Sequence, residues 1–255
     1  MAGQGQSRAI DMLQYDIRSN IAEWSADLDA NVARQVPFAT AVALTRTARD
    51  VREKHQALMP VIFDRPTRFT LNALQVTPAT KQTQVASVWF KQPNRMRQHY
   101  LVPQVEGGGR RHKAFEKWLI GAGLMQSSEF AVPASGIKLD ANGNMSQGMI
   151  VQILSQLKAS PDATQWETRA SRKRAGTSRY RYFVPKPGSG LARGIWRKTS
   201  KNRMQPVLIF VSAVKYEKRY PFGQISTDAA EAAFPKRFDE AMLAAIRTSN
   251  SRGRW

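Results

Sequence analysis

The stretch that most constrains this chain lies in its last quarter, where Gly194-Ile195-Trp196 and a turn of Lys, Arg, Asn and Ser lead into Pro206-Val207-Leu208-Ile209-Phe210-Val211. Five apolar residues in a row, Val207 to Val211, three of them β-branched, are too short a run for a helix and suit a buried strand. The pair of segments reads as a β-hairpin whose core is Trp196, Leu208 and Phe210, with a strongly basic turn in solvent. Tyr220-Pro221-Phe222 then introduces a helix that straps onto the hairpin. That helix carries Phe238, Met242, Ala245 and Ile246 on one side, with Phe234-Pro235 setting its start or a kink.

The rest of the chain must supply the remaining core. With 255 residues and 42% apolar content, it can build one large domain or two of ordinary size. Its 39 Lys+Arg against 19 Asp+Glu leave a net charge of +20, well beyond what solubility needs. Such a balance implies an acidic counterpart: nucleic acid, an acidic protein or an anionic surface. The absence of cysteine excludes disulfides, Cys-zinc sites and thiol catalysis. No apolar run approaches the about 18 residues of a membrane span, and the polar start Met1-Ala2-Gly3-Gln4-Gly5-Gln6 does not read as a signal peptide.

Ile10, Leu13, Ile17, Ile21, Trp24 and Leu28 recur at intervals of three and four, which predicts a helix over about 10–29. A second helix begins after Pro37, with Ala41, Leu44, Ala48 and Val51 on one stripe and Arg46, Arg49, Arg52 and Lys54 elsewhere on its surface. Pro60 and Asp64-Arg65-Pro66 close that region. Extended structure is expected at Arg68-Phe69-Thr70-Leu71 and Leu74-Gln75-Val76-Thr77, paired with Val85 to Phe90. Gly107-Gly108-Gly109 reads as a hinge before a short helix with Phe115, Trp118, Leu119 and Leu124. Asp140 to Asn144 makes a turn, and Ser146 caps a helix striped by Ile150, Ile153, Leu154 and Leu157. From Ala159 to Ser178 the chain is polar and basic and reads as a long mobile loop or an insertion. The segments are therefore 1–60 (N-terminal helical), 61–158 (central hairpin and helical), 159–190 (basic loop) and 191–255 (hairpin plus helix), together one composite domain.

Chemistry-bearing motifs are scarce. Gly107-Gly108-Gly109-Arg110-Arg111 before a helix offers amide donors to an anion, but lacks the Gly-Lys-Ser/Thr of a P-loop and the GxGxxG of a dinucleotide site. Asp140, Asn142 and Asn144 start like a calcium loop, yet Val151 stands where a closing Glu is required. His55, His99 and His112 have no metal-ligand spacing, and no nucleophile elbow is present. No cofactor motif appears. What remains is basic: Arg172, Lys173 and Arg174 with Tyr180 and Tyr182 nearby, and Arg197, Lys198, Lys201 and Arg203 around Trp196. With Arg110 and Arg111 these are the candidate interface or phosphate-facing residues. The aromatics sit at strand-like spacing and read as core more than as base platforms.

Several segments together resemble virion proteins of tailed phages and prophages, of the kind encoded beside capsid and portal genes. They are Ala43-Leu44-Thr45-Arg46-Thr47-Ala48, Phe63-Asp64-Arg65-Pro66-Thr67-Arg68-Phe69-Thr70, Gln104 to Arg111, Asn142-Gly143-Asn144-Met145-Ser146, and the hairpin with its terminal helix. The order of hairpin, Tyr-Pro-Phe and helix is also similar to tail-completion or head-to-tail joining proteins. The resemblance implies a non-enzymatic structural subunit that forms a ring at the neck, touches portal or connector and tail tube, and surrounds passing DNA, in a virion assembled in the bacterial cytoplasm. The expected fold is α+β, an antiparallel sheet packed by a long C-terminal helix, with further N-terminal helices and an inserted helical and loop region. The alternative function is a basic nucleic-acid-binding protein that packages or protects DNA. A nuclease ranks last, for want of an acidic metal cluster.

Overall fold

The computed structural model describes residues 14–19, 34–91, 99–175, 180–198 and 203–252. They form an α+β protein with antiparallel sheets and a long C-terminal helix, divided into two compact units: residues 1–107 with 218–255, and residues 108–217. The division falls at Gly107/Gly108, inside the glycine run read as a hinge.

In the first unit, strands β1 (Gln14–Ile17), β2 (Leu74–Thr77) and β3 (Ala86–Phe90) make a sheet of order β1-β3-β2. Helix α1 (Val36–Ile62) lies on it, with the expected stripe of Ala41, Leu44, Ala48 and Val51 buried. Pro37 occupies its first turn, where a missing N–H costs nothing. After α1 come the single turn α2 (Arg68–Leu71) and α3 (Val102–Glu106), and the unit closes with α7 (Phe222–Arg252). Helices α1 and α7 meet through small side chains, Ala39 and Ala43 against Ala241 and Ala245, so their backbones approach closely. The sheet that α7 packs on is this one: Phe222, Ile225 and Ala230 join Ile17, Leu74, Val88 and Phe90 in one core, and the Tyr15 hydroxyl reaches Thr227.

Three expectations fail here. The helix predicted over 10–29 is replaced at Gln14–Ile17 by β1, which pairs with β3 from Gln14↔Trp89 to Ile17↔Ala86. The β3 strand is buried almost throughout and needs a partner on each edge, and Tyr15 and Ile17 fit a two-residue period as well as a helical one. Arg18 and Ser19 follow as irregular chain, and the other residues of that predicted helix lie outside the described ones. Arg68–Leu71 is helical rather than extended because the Thr67 hydroxyl caps it, accepting from the Thr70 N–H at 3.1 Å. Of the two roles read for Phe234-Pro235, the helix start is excluded, since Pro235 lies inside α7, which starts thirteen residues earlier at Phe222.

In the second unit, β4 (Gly108–Gly109) pairs with β9 (Lys215–Tyr216), so these glycines are strand rather than free linker. Helices α4 (Ala114–Gly121) and α5 (Gln147–Gln156) cover a four-stranded sheet of order β5-β8-β7-β6, formed by β5 (Phe130–Pro133), β6 (Arg181–Phe183), β7 (Gly194–Lys198) and β8 (Met204–Val211). The expected hairpin is thus present as β7–β8, but Leu119, Ile153 and Leu154 of α4 and α5 cover it. The helix that follows in sequence, α7, buries its apolar residues in the first unit instead.

Leu208 and Phe210 belong to the hairpin core as read, whereas the third inward position is Ile195, not Trp196. A register shift between Ile195 and Trp196 turns the indole to a half-buried position, where its Nε1–H donates to the Ala192 carbonyl. Pro206 sits opposite this irregularity and beyond the residues that β5 pairs, 208–211, so its missing N–H is not demanded. Gly194 is required by contact: a Cβ there would lie 2.1 Å from the Leu208 carbonyl oxygen.

The basic segment from Ala159, read as a loop, contains a 3₁₀ turn (Ala163–Gln165) and α6 (Arg169–Ala175); Ser155 donating to the Gln165 carbonyl and the Trp166 indole donating to the Ser160 carbonyl hold the turn. Residues 176–178 fall outside the described ones.

Candidate interaction surfaces

The candidate cations divide by what they touch. Arg110 does not face outward. Its guanidinium grips Glu116 with two 2.6 Å hydrogen bonds, and Glu116 is fully buried, accepting also from the backbone N–H of Lys113 and Ala131. Burial alone would raise the Glu116 carboxyl, but Arg110 and these two N–H groups outweigh it and hold the carboxyl below its ordinary value. Arg110 also lies over the Phe130 ring at 5.1 Å. It is a core residue in effect, while its neighbour Arg111 is exposed.

Arg172 is tied to Glu167, which Arg181 also grips at 2.8 and 2.9 Å; Lys173 and Arg174 stand exposed on α6. Arg197 donates twice to Gln205 Oε1 and covers the exposed Tyr180 ring at 4.2 Å. Its strand neighbour Lys198 pairs in register with Arg181 and Met204, placing several cations around one end of the β6–β7–β8 sheet, with Arg203 exposed beside it. Lys201 lies outside the described residues. Tyr182 is buried, in keeping with its reading as core, whereas Tyr180 is exposed.

Two arrangements in the first unit escaped the sequence. One is a cleft of about 490 Å³ between the start of α1 and the 78–81 loop, lined by Phe38, Ala41, Val42, Thr45, Arg46, Arg49, Ala79, Thr80 and Lys81. Arg46 and Arg49 were visible as helix-surface cations, but their juxtaposition with Lys81 needed the loop. The other is a buried polar chain. Ser226 donates to the Phe222 carbonyl at 2.8 Å, so toward His55 Nε2, 2.9 Å away, it accepts. His55 therefore carries its proton on Nε2, and Nδ1 accepts from the Tyr220 hydroxyl at 2.7 Å. The ring stacks on Phe222 at 4.7 Å. Burial pushes the His55 imidazole down to about 4 and the Tyr220 hydroxyl upward. A Ser-His-Tyr sequence of this kind would be catalytic only if the serine faced a substrate; here its proton is spent on a helix carbonyl and every member is buried.

Among the described residues, no group of three or more His, Cys, Asp or Glu side chains could hold a metal ion, and no helix is long and apolar enough to cross a membrane. No protein-family model, curated protein or solved structure matches this chain.

Proposed function

We propose that this chain is a structural subunit of a tailed-phage virion, a ring-forming neck or tail-completion protein that joins the portal or connector to the tail. The observation that supports this reading most is how its charge is disposed. Carboxylates such as Asp50, Glu116, Glu129 and Glu167 are paired with this chain's own arginines, while Arg49, Lys81, Arg111, Lys173, Arg174 and Arg203 stand exposed. Buried ionisable groups serve the fold, and the surplus positive charge serves contacts with acidic neighbours. The segments that resemble phage virion proteins supply the setting.

Native mass spectrometry of the purified protein, with a gene deletion in the phage, tests the proposal. It predicts a closed cyclic oligomer, formed alone or on its partner, and unjoined heads and tails from the deletion. Complete infectious particles lacking the chain would refute it. One observation favours the nucleic-acid reading instead: Arg197 on the exposed Tyr180 ring is the arrangement that stacks an unpaired base. Under that reading, isolated protein binds DNA tightly and its affinity falls steeply with salt.

A further inference from the structure

The cleft on the first unit is built for a ligand with two characters. Its floor is apolar, made by Ala41, Val42 and Ala79 with the Phe38 ring, which is 44% exposed. Its rim is cationic, with Arg46, Arg49 and Lys81, and no acidic side chain lines it. The walls are fixed before any ligand arrives. Thr45 Oγ1 accepts from the Ala79 N–H at 3.0 Å and donates to the Ala41 carbonyl at 2.8 Å, while Gln84 donates to the Pro37 carbonyl at 2.9 Å, which together hold the loop on α1. Lys81 Nζ lies 5.3 Å from the Phe38 ring centre, so the ammonium is held at the mouth by the ring face. Arg46 has a distant carboxylate, Glu240 at 3.8 Å. Arg49 is exposed at the rim.

We propose that this cleft docks an acidic amphipathic segment of a partner protein, with an aliphatic or aromatic side chain on the floor and Asp or Glu carboxylates on Arg46, Arg49 and Lys81. This rests on the reading of the chain as a subunit that meets acidic neighbours, and names the chemistry of one meeting point. Charge complementarity selects the occupant. A second copy is a poor donor, because the chain carries only 19 Asp+Glu against 39 Lys+Arg, and of these Asp50, Glu116, Glu129 and Glu167 are already gripped by arginines. Duplex DNA would satisfy the rim and leave the apolar floor facing water, whereas an acidic segment with an apolar side chain uses both.

The test is fluorescence anisotropy on the full chain with a labelled synthetic peptide of about a dozen residues alternating Glu with Leu and Phe. A polyglutamate of equal charge and a short DNA duplex serve as comparisons. The proposal expects the mixed peptide to bind at least about tenfold more tightly than polyglutamate, because the floor contributes. Arg49→Glu and Lys81→Glu together should weaken it at least about tenfold, with an unchanged melting curve since both side chains are exposed. Phe38→Ser, a neutral change at an exposed side chain, should erase the preference over polyglutamate while leaving the weaker charge-driven binding. Equal affinity for peptide and polyglutamate, binding that survives the double reversal, or tighter duplex binding lost in the same reversal would each overturn it. Ring formation is scored separately by native mass spectrometry, so an intact ring with an unoccupied cleft removes this inference alone.

Discussion

Among the described residues each unit contains a fully buried polar centre, and these two are built on opposite principles. The first holds a neutral chain, Tyr220 to His55 to Ser226, in which each link is an ordinary hydrogen bond and no charge is taken out of water. The second holds a carboxylate, Glu116, whose desolvation is offset by a bidentate guanidinium and two backbone N–H groups. A neutral centre is cheap to bury but fails when it is forced to ionise. An ionised centre is costly and fails when a partner is lost. The two units should therefore break under different insults.

The largest effect should come from stranding the buried charge. Arg110→Ala leaves Glu116 without its counter-ion and should destabilise the second unit by about 3–5 kcal/mol. Hydrogen exchange should report the loss in β5, β7 and β8 while α1 and β3 stay protected. Equal loss in both units would dissolve the contrast. Phe210→Ala removes a buried ring from the same core and should cost a similar 3–5 kcal/mol or slightly less, since the side chain is 8% exposed. Chemical denaturation measures it, and a harmless substitution would mean that β8 is not core.

Acid is the complementary insult, aimed at the first unit. The His55 imidazole has an ordinary value of 6.5 and is pushed down to about 4 in the fold, so between those values the unfolded chain binds a proton that the folded one refuses. Stability from this group is whole above 6.5 and falls as pH drops toward 4, by about 3 kcal/mol in all. His99, buried and stacked on Phe90 at 4.8 Å, is pushed down to about 4 as well and acts in the same window. Glu116 is held below its ordinary value of 4.5, so the second unit's centre loses its support only below that pH. Exchange at pH 5 should therefore rise in α1 and β3 before it rises in β7 and β8, and His55→Gln should blunt the effect. Simultaneous loss would mean that the two centres do not set the acid response.

The smallest effect on stability should come from the rim. Arg203→Ala and Lys173→Ala change exposed side chains and should move the melting temperature very little, within about 0.5 kcal/mol, while weakening assembly if those faces are interfaces. Normal particle assembly by both variants would make these faces merely solvated.

What the sequence revealed follows the range of the forces involved. Helix α1, the β2–β3 pair, the Asp140 turn, the Ser146 cap of α5 and the β8 run are set by residues within a few positions of one another, and all were legible. Helix α2 was missed although its signal, Thr67 ahead of Thr70, is local; the β-prone Phe69-Thr70-Leu71 obscured it. Strand β1 could not be read, because its state is decided by the edge of β3 about seventy residues away. The exchange of Trp196 for Ile195 in the core depends on a one-residue irregularity that alternation alone does not foresee. Arg110 looked free because its partner, Glu116, is the single acid of α4 and nothing nearby in sequence ties the two together. Glu116 at the third position of α4 was the available clue, since carboxylates there bond back to the helix start. The His55 chain joins residues 165 and 171 positions apart and left no local trace.

We have proposed that this chain works through its surfaces as a ring-forming virion subunit. Electron cryomicroscopy of the particle that carries it tests this most directly. The account predicts a closed ring of copies at the neck or tail end, with exposed cations such as Arg49, Lys81 and Arg203 against acidic neighbouring subunits. Copies found singly with no contact between them, or bound along packaged DNA instead, would contradict it.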